Sequence, residues 1–319
     1  MAFSPVEPFA SGLLPVGNGA QIYWESSGTP DGQAVIWLHG GPGSGLGSGG
    51  YRRRFDPAKW LIIGIDQRAS GRSIPGILDD RCDLATLTTQ AMIEDLEIVR
   101  EHLRVQQWIV SGGSWGTTLA LAYAEAHPNR VSGLALAAVT TTSRQEVDWI
   151  TESIGRVFPA EWAAFAEASG AVPDQKVVEA YFDRLTDPDP DVRDAAAIAW
   201  CRWEDVHVSL DPQAKPDPRY QDREFRNSFA THVVNSWAHS GFLGDRGVLD
   251  NIATIAHLPV VLIHGRLDVS SPLSTAWELH RALPLSRLVV IESEGHGGSN
   301  MVDELENAYE HLLAVKSEA

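Results

Sequence analysis

With 319 residues, 44% of them hydrophobic, the chain is long enough for one large domain, or for a domain with a sizeable insertion, around a real core. Its 42 acidic and 25 basic residues leave a net charge of -17, which argues against nucleic acid and anionic membrane as partners, since both need a basic face. The acidic excess reads as solubility, with a weak bias toward cationic substrates. Two cysteines, Cys82 and Cys201, lie far apart and match no metal spacing, so free thiols in a reducing compartment are expected. Residues 1–8 have no basic start and no long apolar segment, and no run approaches the roughly 18 apolar residues of a membrane span. A soluble cytoplasmic protein, monomeric or a small homo-oligomer, is the expectation.

In chain order, Gln21-Ile22-Tyr23-Trp24-Glu25 alternates and predicts an early strand, and residues 28–32 predict a turn. Val35-Ile36-Trp37-Leu38 is a continuous apolar run, as expected of a strand buried on both faces. It leads into His39-Gly40-Gly41-Pro42-Gly43. Residues 45–50 fit G-x-G-x-x-G, but no clear helix follows, so nucleotide binding is disfavoured. The glycines at 40, 41 and 43 fit an oxyanion loop better, because glycine lets main-chain N–H groups approach a nucleophile. The run Arg52 to Arg54 predicts a solvated face. Leu61-Ile62-Ile63-Gly64-Ile65 is a further strand, ending in a polar turn where Asp66, Arg68 and Arg72 are expected to tie loops together.

Leu87, Met92, Ile93, Leu96, Val99 and Leu103 recur at helical spacing and predict a helix over 86–103. Trp108-Ile109-Val110 then precedes Gly112-Gly113-Ser114-Trp115-Gly116, and 117–124 is good helix material. Strand, sharp turn and helix are the context in which G-x-S-x-G marks a nucleophile, and the small residues let strand and helix pass closely. Residues 131–136 form the next strand. From about 140 to 247 helical stretches and Pro/Asp punctuation replace the strand rhythm. This segment holds Trp149, Trp162, Trp200, Trp203 and Trp237 and predicts a helical lid, most of whose aromatics pack it onto the core. Strand rhythm resumes at 260–264, followed by Asp268, and at 287–291, followed by His296; residues 301–315 predict a closing helix.

Ser114, Asp268 and His296 each stand just past a predicted strand, in the chain order of an α/β-hydrolase. Serine needs a base to take its proton; histidine titrates in the right range, and a buried carboxylate holds its tautomer and stabilises its cation. The expected oxyanion hole is the N–H of Trp115 with that of Gly41. The fold expected is α/β, a mostly parallel sheet flanked by helices, with residues 1–139 and 248–319 as core and 140–247 as an inserted helical cap. No metal or cofactor is expected.

The motifs at 39–43, 66–68, 71–73 and 112–116, with Phe158-Pro159, Trp162, Trp200, Trp203-Glu204 and His264-Gly265-Arg266, together resemble the prolyl aminopeptidase (proline iminopeptidase) family nearly end to end. The resemblance implies a cytoplasmic-type serine exopeptidase that releases an N-terminal residue, usually proline. It implies that Glu204 holds the free α-amino group, as a carboxylate in a lidded pocket would. The chain departs from the family pattern in its pocket. Val233 stands where a second amine-binding glutamate is usual, Ala137-Ala138-Val139-Thr140 replace an Arg-Gly-x-Phe stretch, and Ser271 replaces a frequent cysteine. Thr140, Trp149, Val233 and Ser271 are therefore the expected pocket residues, in a site roomier and less cationic than usual. The expected substrate is a small peptide or an aminoacylated small molecule, such as a macrolactam intermediate, carrying proline or alanine. The alternatives are an esterase or lactonase with no amine requirement, or a ligand-binding protein on a hydrolase scaffold.

Overall fold

The computed structural model describes residues 3–210 and 214–318. Strands β1 (Ala10–Gly17) and β2 (Ala20–Gly28) open the chain as a hairpin. Its turn holds Asn18 and Gly19 at positive φ, 50° and 73°, which these two residues tolerate best. Strand β1 was not expected from the sequence. It lies at the edge of the sheet, carries Gly12 and Pro15, and buries too little to show a strong pattern.

Strands β3 (Gln33–Leu38), β4 (Trp60–Asp66), β5 (Trp108–Gly113), β6 (Val131–Ala137), β7 (Val260–Gly265) and β8 (Ser286–Ile291) complete one sheet in the order β1-β2-β4-β3-β5-β6-β7-β8. The pairs β1/β2 and β2/β4 are antiparallel and the rest are parallel. Helices α1 (Thr89–His102) and α2 (Trp115–Ala126) precede β6. Helices α3 (Arg144–Asp148), α4 (Pro159–Ser169), α5 (Val177–Leu185), α6 (Pro190–His207) and α7 (Arg223–Ala238) lie between β6 and β7. Helices α8 (Leu273–Ala282) and α9 (Ser299–Glu318) follow.

Both faces of the sheet are covered, which is why β3 reads as an unbroken apolar run. Its Val35 and Trp37 join a cluster with Met301, Leu305 and Tyr309 of α9. Its Ile36 and Leu38 face the other way, toward Leu96 of α1, Leu119 of α2 and Leu279 of α8. Side chains that alternate across a strand thus serve two separate clusters.

The helices between β6 and β7 have a core of their own. Phe165 stacks on Tyr181 and Trp203 with ring centroids 4.7 and 5.0 Å apart, and Trp200 packs edge-on to Phe165 and Trp237. Trp162, Trp200 and Trp203, expected to pack this segment onto the sheet, instead pack its helices onto one another. The periodicity of a single helix could not distinguish those partners.

The run 52–54 also departs from expectation. Arg53 is exposed, but Arg52 is buried against Glu25 and the Gly49 carbonyl, and the Arg54 guanidinium lies 4.0 Å over the Trp37 ring. Arg72 does tie loops together, donating to Asp66 at 2.7 Å and Glu25 at 3.1 Å. Residues 45–50 run into a 3-10 turn rather than an α-helix. Cys82 and Cys201 form no disulfide. Among the described residues no helix is long and apolar enough to cross a membrane.

Arg68 and Asp95 form a buried pair, with Nε and Nη2 donating to Oδ2 and Oδ1 at 3.0 and 2.5 Å. Removing one partner strands a charge in the core. Asp95→Ala is therefore expected to cost about 3–5 kcal/mol in urea unfolding; a loss below about 1 kcal/mol would mean that Arg68 finds water instead.

Candidate active site

The parallel strands β3 to β8 deliver their loops to one edge of the sheet, at their carboxyl ends. At the end of β5 the chain turns on Ser114, whose φ of 54° and ψ of -128° are unusual for a residue with a side chain and cost about 1–3 kcal/mol. Neighbouring glycines make the turn possible. A Cβ on Gly116 would lie 2.1 Å from the Leu38 carbonyl oxygen, and one on Gly112 would lie 2.4 Å from that of Gly116. The Ser114 N–H donates to Ala137 O at 3.0 Å, anchoring the turn to β6.

Asp268 follows β7 and His296 follows β8, and the fold brings both to Ser114. His296 Nε2 stands 2.9 Å from Ser114 Oγ, and its Nδ1 stands 2.8 Å from Asp268 Oδ2. Asp268 is buried, and its Oδ1 accepts from the Ser271 N–H at 2.9 Å. Burial alone would raise the Asp268 pKa, but the charges of His296 and His264 and the hydrogen bonds from His296 and Ser271 bring it below the usual carboxylate value. For His296 the balance is the reverse. Burial favours the neutral ring, yet the charge and hydrogen bond of Asp268, with the charges of Glu204 and Glu146, leave its pKa raised.

Behind this row, the Val139 N–H donates to His264 Nδ1 at 3.1 Å, so the proton of the neutral ring sits on Nε2 and is donated to Ser271 O at 2.6 Å. Ser271 Oγ in turn donates to Val139 O. Ser271 thus holds the acidic end of the row in place through three separate atoms.

On the opposite side of Ser114 the loop after β3 comes close. A Cβ on Gly40 would lie 3.0 Å from Gly113 O and 3.1 Å from Ser114 Cβ, and Gly41 has φ 108°. Gln67, which sequence reasoning left as part of a polar turn, joins the two sides. Its side-chain N–H donates to His39 O at 2.8 Å, its Oε1 accepts from the Trp115 indole at 2.9 Å, and its backbone N–H donates to His39 Nε2 at 3.0 Å. A glutamine offers the donor and the acceptor that this bridge needs.

The recess in front of Ser114 encloses about 40 Å³ of water-accessible space and is lined by Gly41, Ser114, Trp115, Thr140, Thr142, Glu146, Val147, Ile150, Trp237, Ser270, Ser271 and His296. The predicted Gly41, Trp115, Thr140 and Ser271 are therefore brought together with Ser114 and His296, and the lining has no lysine or arginine. Trp149 and Val233, expected in the pocket, do not line it. The Trp149 indole is tied to Val269 O at 2.7 Å, and Val233 is buried in the core of the inserted helices. Glu146 was not singled out in the sequence. The Ser-x-x-Glu spacing from Ser143 marks a helix start, but nothing in it says that the carboxylate shares a wall with Ser114.

Glu204, on α6, does not line this recess. It is buried behind it, accepting from the Trp200 indole at 3.0 Å, with His207 Nε2 3.4 Å away. Burial pushes its pKa up to about 7, against the Trp200 hydrogen bond and the charge of His296. His207 does not supply a cation, since burial lowers its own pKa to about 3. Its Nδ1 meets Ser270 Oγ, which links the Glu204 site to the recess wall. Among the described residues no group of three or more His, Cys, Asp or Glu side chains is placed to hold a metal ion. Chemically, the arrangement can activate a hydroxyl, store a proton on His296 and receive a cationic group near a carboxylate.

The chain's similarities point the same way. The family profile described as alpha/beta hydrolase fold matches residues 33–299. A probable proline iminopeptidase of Leptolyngbya boryana is 37% identical over 319 residues, 99% of this chain and 98% of that protein. One from Streptomyces coelicolor is 40% identical over 307 residues, 95% of this chain and 94% of that protein. The crystal structure of a Mycobacterium smegmatis proline iminopeptidase superposes with a TM-score of 0.58 at 21% identity, covering 96% of each chain, and shares the fold.

Glu204 carries a stability consequence. Its folded pKa of about 7 lies above the unfolded value of 4.5, so the folded chain holds the extra proton between those values and loses stability as pH rises through them. Glu204→Gln has no charge to bury. Its advantage over the wild type should be near zero at pH 4 and grow toward about 3 kcal/mol above pH 7. Chemical unfolding at pH 4 and pH 8 measures this; equal stability of the two proteins at pH 8 would mean that Glu204 is already compensated.

Proposed function

The chain belongs to the proline iminopeptidase family of α/β-hydrolases, and on that premise we propose that it releases a small N-terminal residue, proline or alanine, from peptides or aminoacyl amides through an acyl-enzyme. The observation that carries this reading is His296 within hydrogen-bond distance of both Ser114 and Asp268, beside a recess whose lining has one acidic residue, Glu146, and no lysine or arginine.

In this reading Ser114 Oγ attacks the scissile carbonyl while His296 Nε2 takes the hydroxyl proton. The main-chain N–H groups of Trp115 and Gly41 receive the negative charge that develops on the carbonyl oxygen. Donors of this kind, each worth about 3–4 kcal/mol of barrier, cost nothing to reorganise when already fixed. Gln67 supports that fixation by tying both donor segments together. The tetrahedral adduct expels the amine, which collects the proton from His296, and leaves the aminoacyl group as an ester on Ser114. A water activated by His296 then hydrolyses the ester and frees the amino acid. Residues 140–247 act as a cap, and Glu204 holds the substrate's α-ammonium. An acceptor larger than a peptide, such as an aminoacylated macrolactam, is the finer proposal. It rests on the absence of bulky or cationic side chains at Thr140 and Ser271.

The test is hydrolysis of prolyl, alanyl and N-acetyl-alanyl anilides with a simple acyl ester. Free-amine anilides should turn over and acetylated ones fail, and Ser114→Ala should lose on the order of 10⁴-fold or more. Turnover of the ester alone would make the protein an esterase instead.

The pH dependence follows from the two perturbed groups. His296 must be neutral to act as a base, and its pKa is raised above 6.5; Glu204 must be ionised to pair with an amine, and its pKa is about 7. kcat/KM should therefore fall below neutral pH with a slope approaching two protons. It should also decline above about pH 8, where the substrate amine loses its charge. Glu204→Gln should remove one proton from the acid limb; a limb of unchanged slope would remove Glu204 from substrate binding.

A further inference from the structure

Glu146, at the start of the inserted helices, lines the recess together with Ser114. It is held firmly and by neutral groups. Oε2 accepts from the Thr141 N–H at 2.8 Å and the Thr141 hydroxyl at 2.9 Å, and Oε1 accepts from the Thr275 hydroxyl at 2.7 Å. Among the described residues no lysine or arginine pairs with it. Such a carboxylate has hydrogen bonds but no counter-charge, and burial accordingly raises its pKa.

The surroundings narrow what could compensate it. Val147, Ile150 and Trp237 form an apolar wall beside the carboxylate, and the whole recess is small. Among the described residues no cluster of three or more His, Cys, Asp or Glu side chains stands here for a metal ion. An organic cation with a short apolar arm matches both features: its charge faces Glu146 and its arm faces the wall. With the reacting carbonyl at Ser114, that description is an aminoacyl group.

We propose that Glu146 is a substrate-binding residue that pairs directly with the α-ammonium of the scissile aminoacyl group, with Val147, Ile150 and Trp237 receiving its side chain. This rests on the aminopeptidase reading and adds to it a second, nearer anion. Glu204 lies behind the recess wall, whereas Glu146 forms part of that wall. The threonines that hold Glu146 are on two segments, Thr141 at the start of the insertion and Thr275 on helix α8, so the anion is preorganised from both the insertion and the sheet domain. A preorganised carboxylate gives up no side-chain freedom when the amine arrives.

The experiment compares alanyl anilide with its des-amino analogue, propionyl anilide, and the corresponding pair of esters. The proteins are wild type, Glu146→Gln, Glu146→Asp and Glu204→Gln. The readout is the preference for the free amine, taken as the ratio of kcat/KM values. Glu146→Gln should lower this ratio about 10- to 100-fold, chiefly through KM, as expected for loss of one charge-assisted contact. Glu146→Asp should restore part of it. A ratio unchanged in Glu146→Gln, with the wild type still requiring the amine, overturns the role of Glu146 and leaves the aminopeptidase reading intact. A wild type indifferent to the amine overturns both. Should Glu146→Gln fail to fold, Thr275→Val decides the question. It removes one neutral donor, so it should move the acid limb for alanyl substrates to higher pH and leave that for propionyl substrates in place. Equal limbs in the two series would sink the proposal.

Discussion

Helix α2, strand β5 and the end of strand β3 meet so closely at Gly112 and Gly116 that a methyl group at either position would collide with main chain, that of Gly116 or of Leu38. That contact sets the site. It forces the chain to turn on Ser114 in a backbone conformation that a free peptide avoids, and the turn leaves the hydroxyl at the sheet's carboxyl edge. The energy stored there is small beside the burial that surrounds it. Leu119, Leu121 and Tyr123 of α2 are fully buried, and helix and strand cannot separate without exposing them.

Around that turn the structure concentrates negative charge. Asp268 is compensated by His296, but Glu204 and Glu146 have only neutral donors. A folded protein gains nothing from a bare buried carboxylate, since desolvation opposes its ionised form. Two of them beside one nucleophile make sense as preparation for a cation. They also act on His296, raising its pKa and so strengthening it as a base. Under the proposed function, substrate charge and base strength are coupled through the same pair of groups.

The inserted helices keep a separate aromatic core, yet they reach the site at several points. Glu146 bonds to Thr275 of α8, Trp149 to Val269, and His207 to Ser270. Each contact crosses from the insertion to the sheet domain within a few residues of Asp268 or the recess. The recess wall and the row of Ser114, His296 and Asp268 thus share a boundary.

By itself the sequence determined the strands β2 to β8, the turn at Ser114 and the order of Ser114, Asp268 and His296. These rest on local rules: apolar runs bounded by glycine, and small residues where chains must cross. The edge strand β1 was hidden because a half-exposed strand with glycine and proline has little pattern to show. Only the tertiary structure decided that Gln67 bridges the two sides of Ser114, that Trp149 and Val233 turn away from the recess, and that Arg52 and Arg54 fold inward. It alone placed Glu146 in the recess wall. Such facts depend on which distant segments meet, and a side chain's partners across the fold leave no trace in the spacing of its own helix.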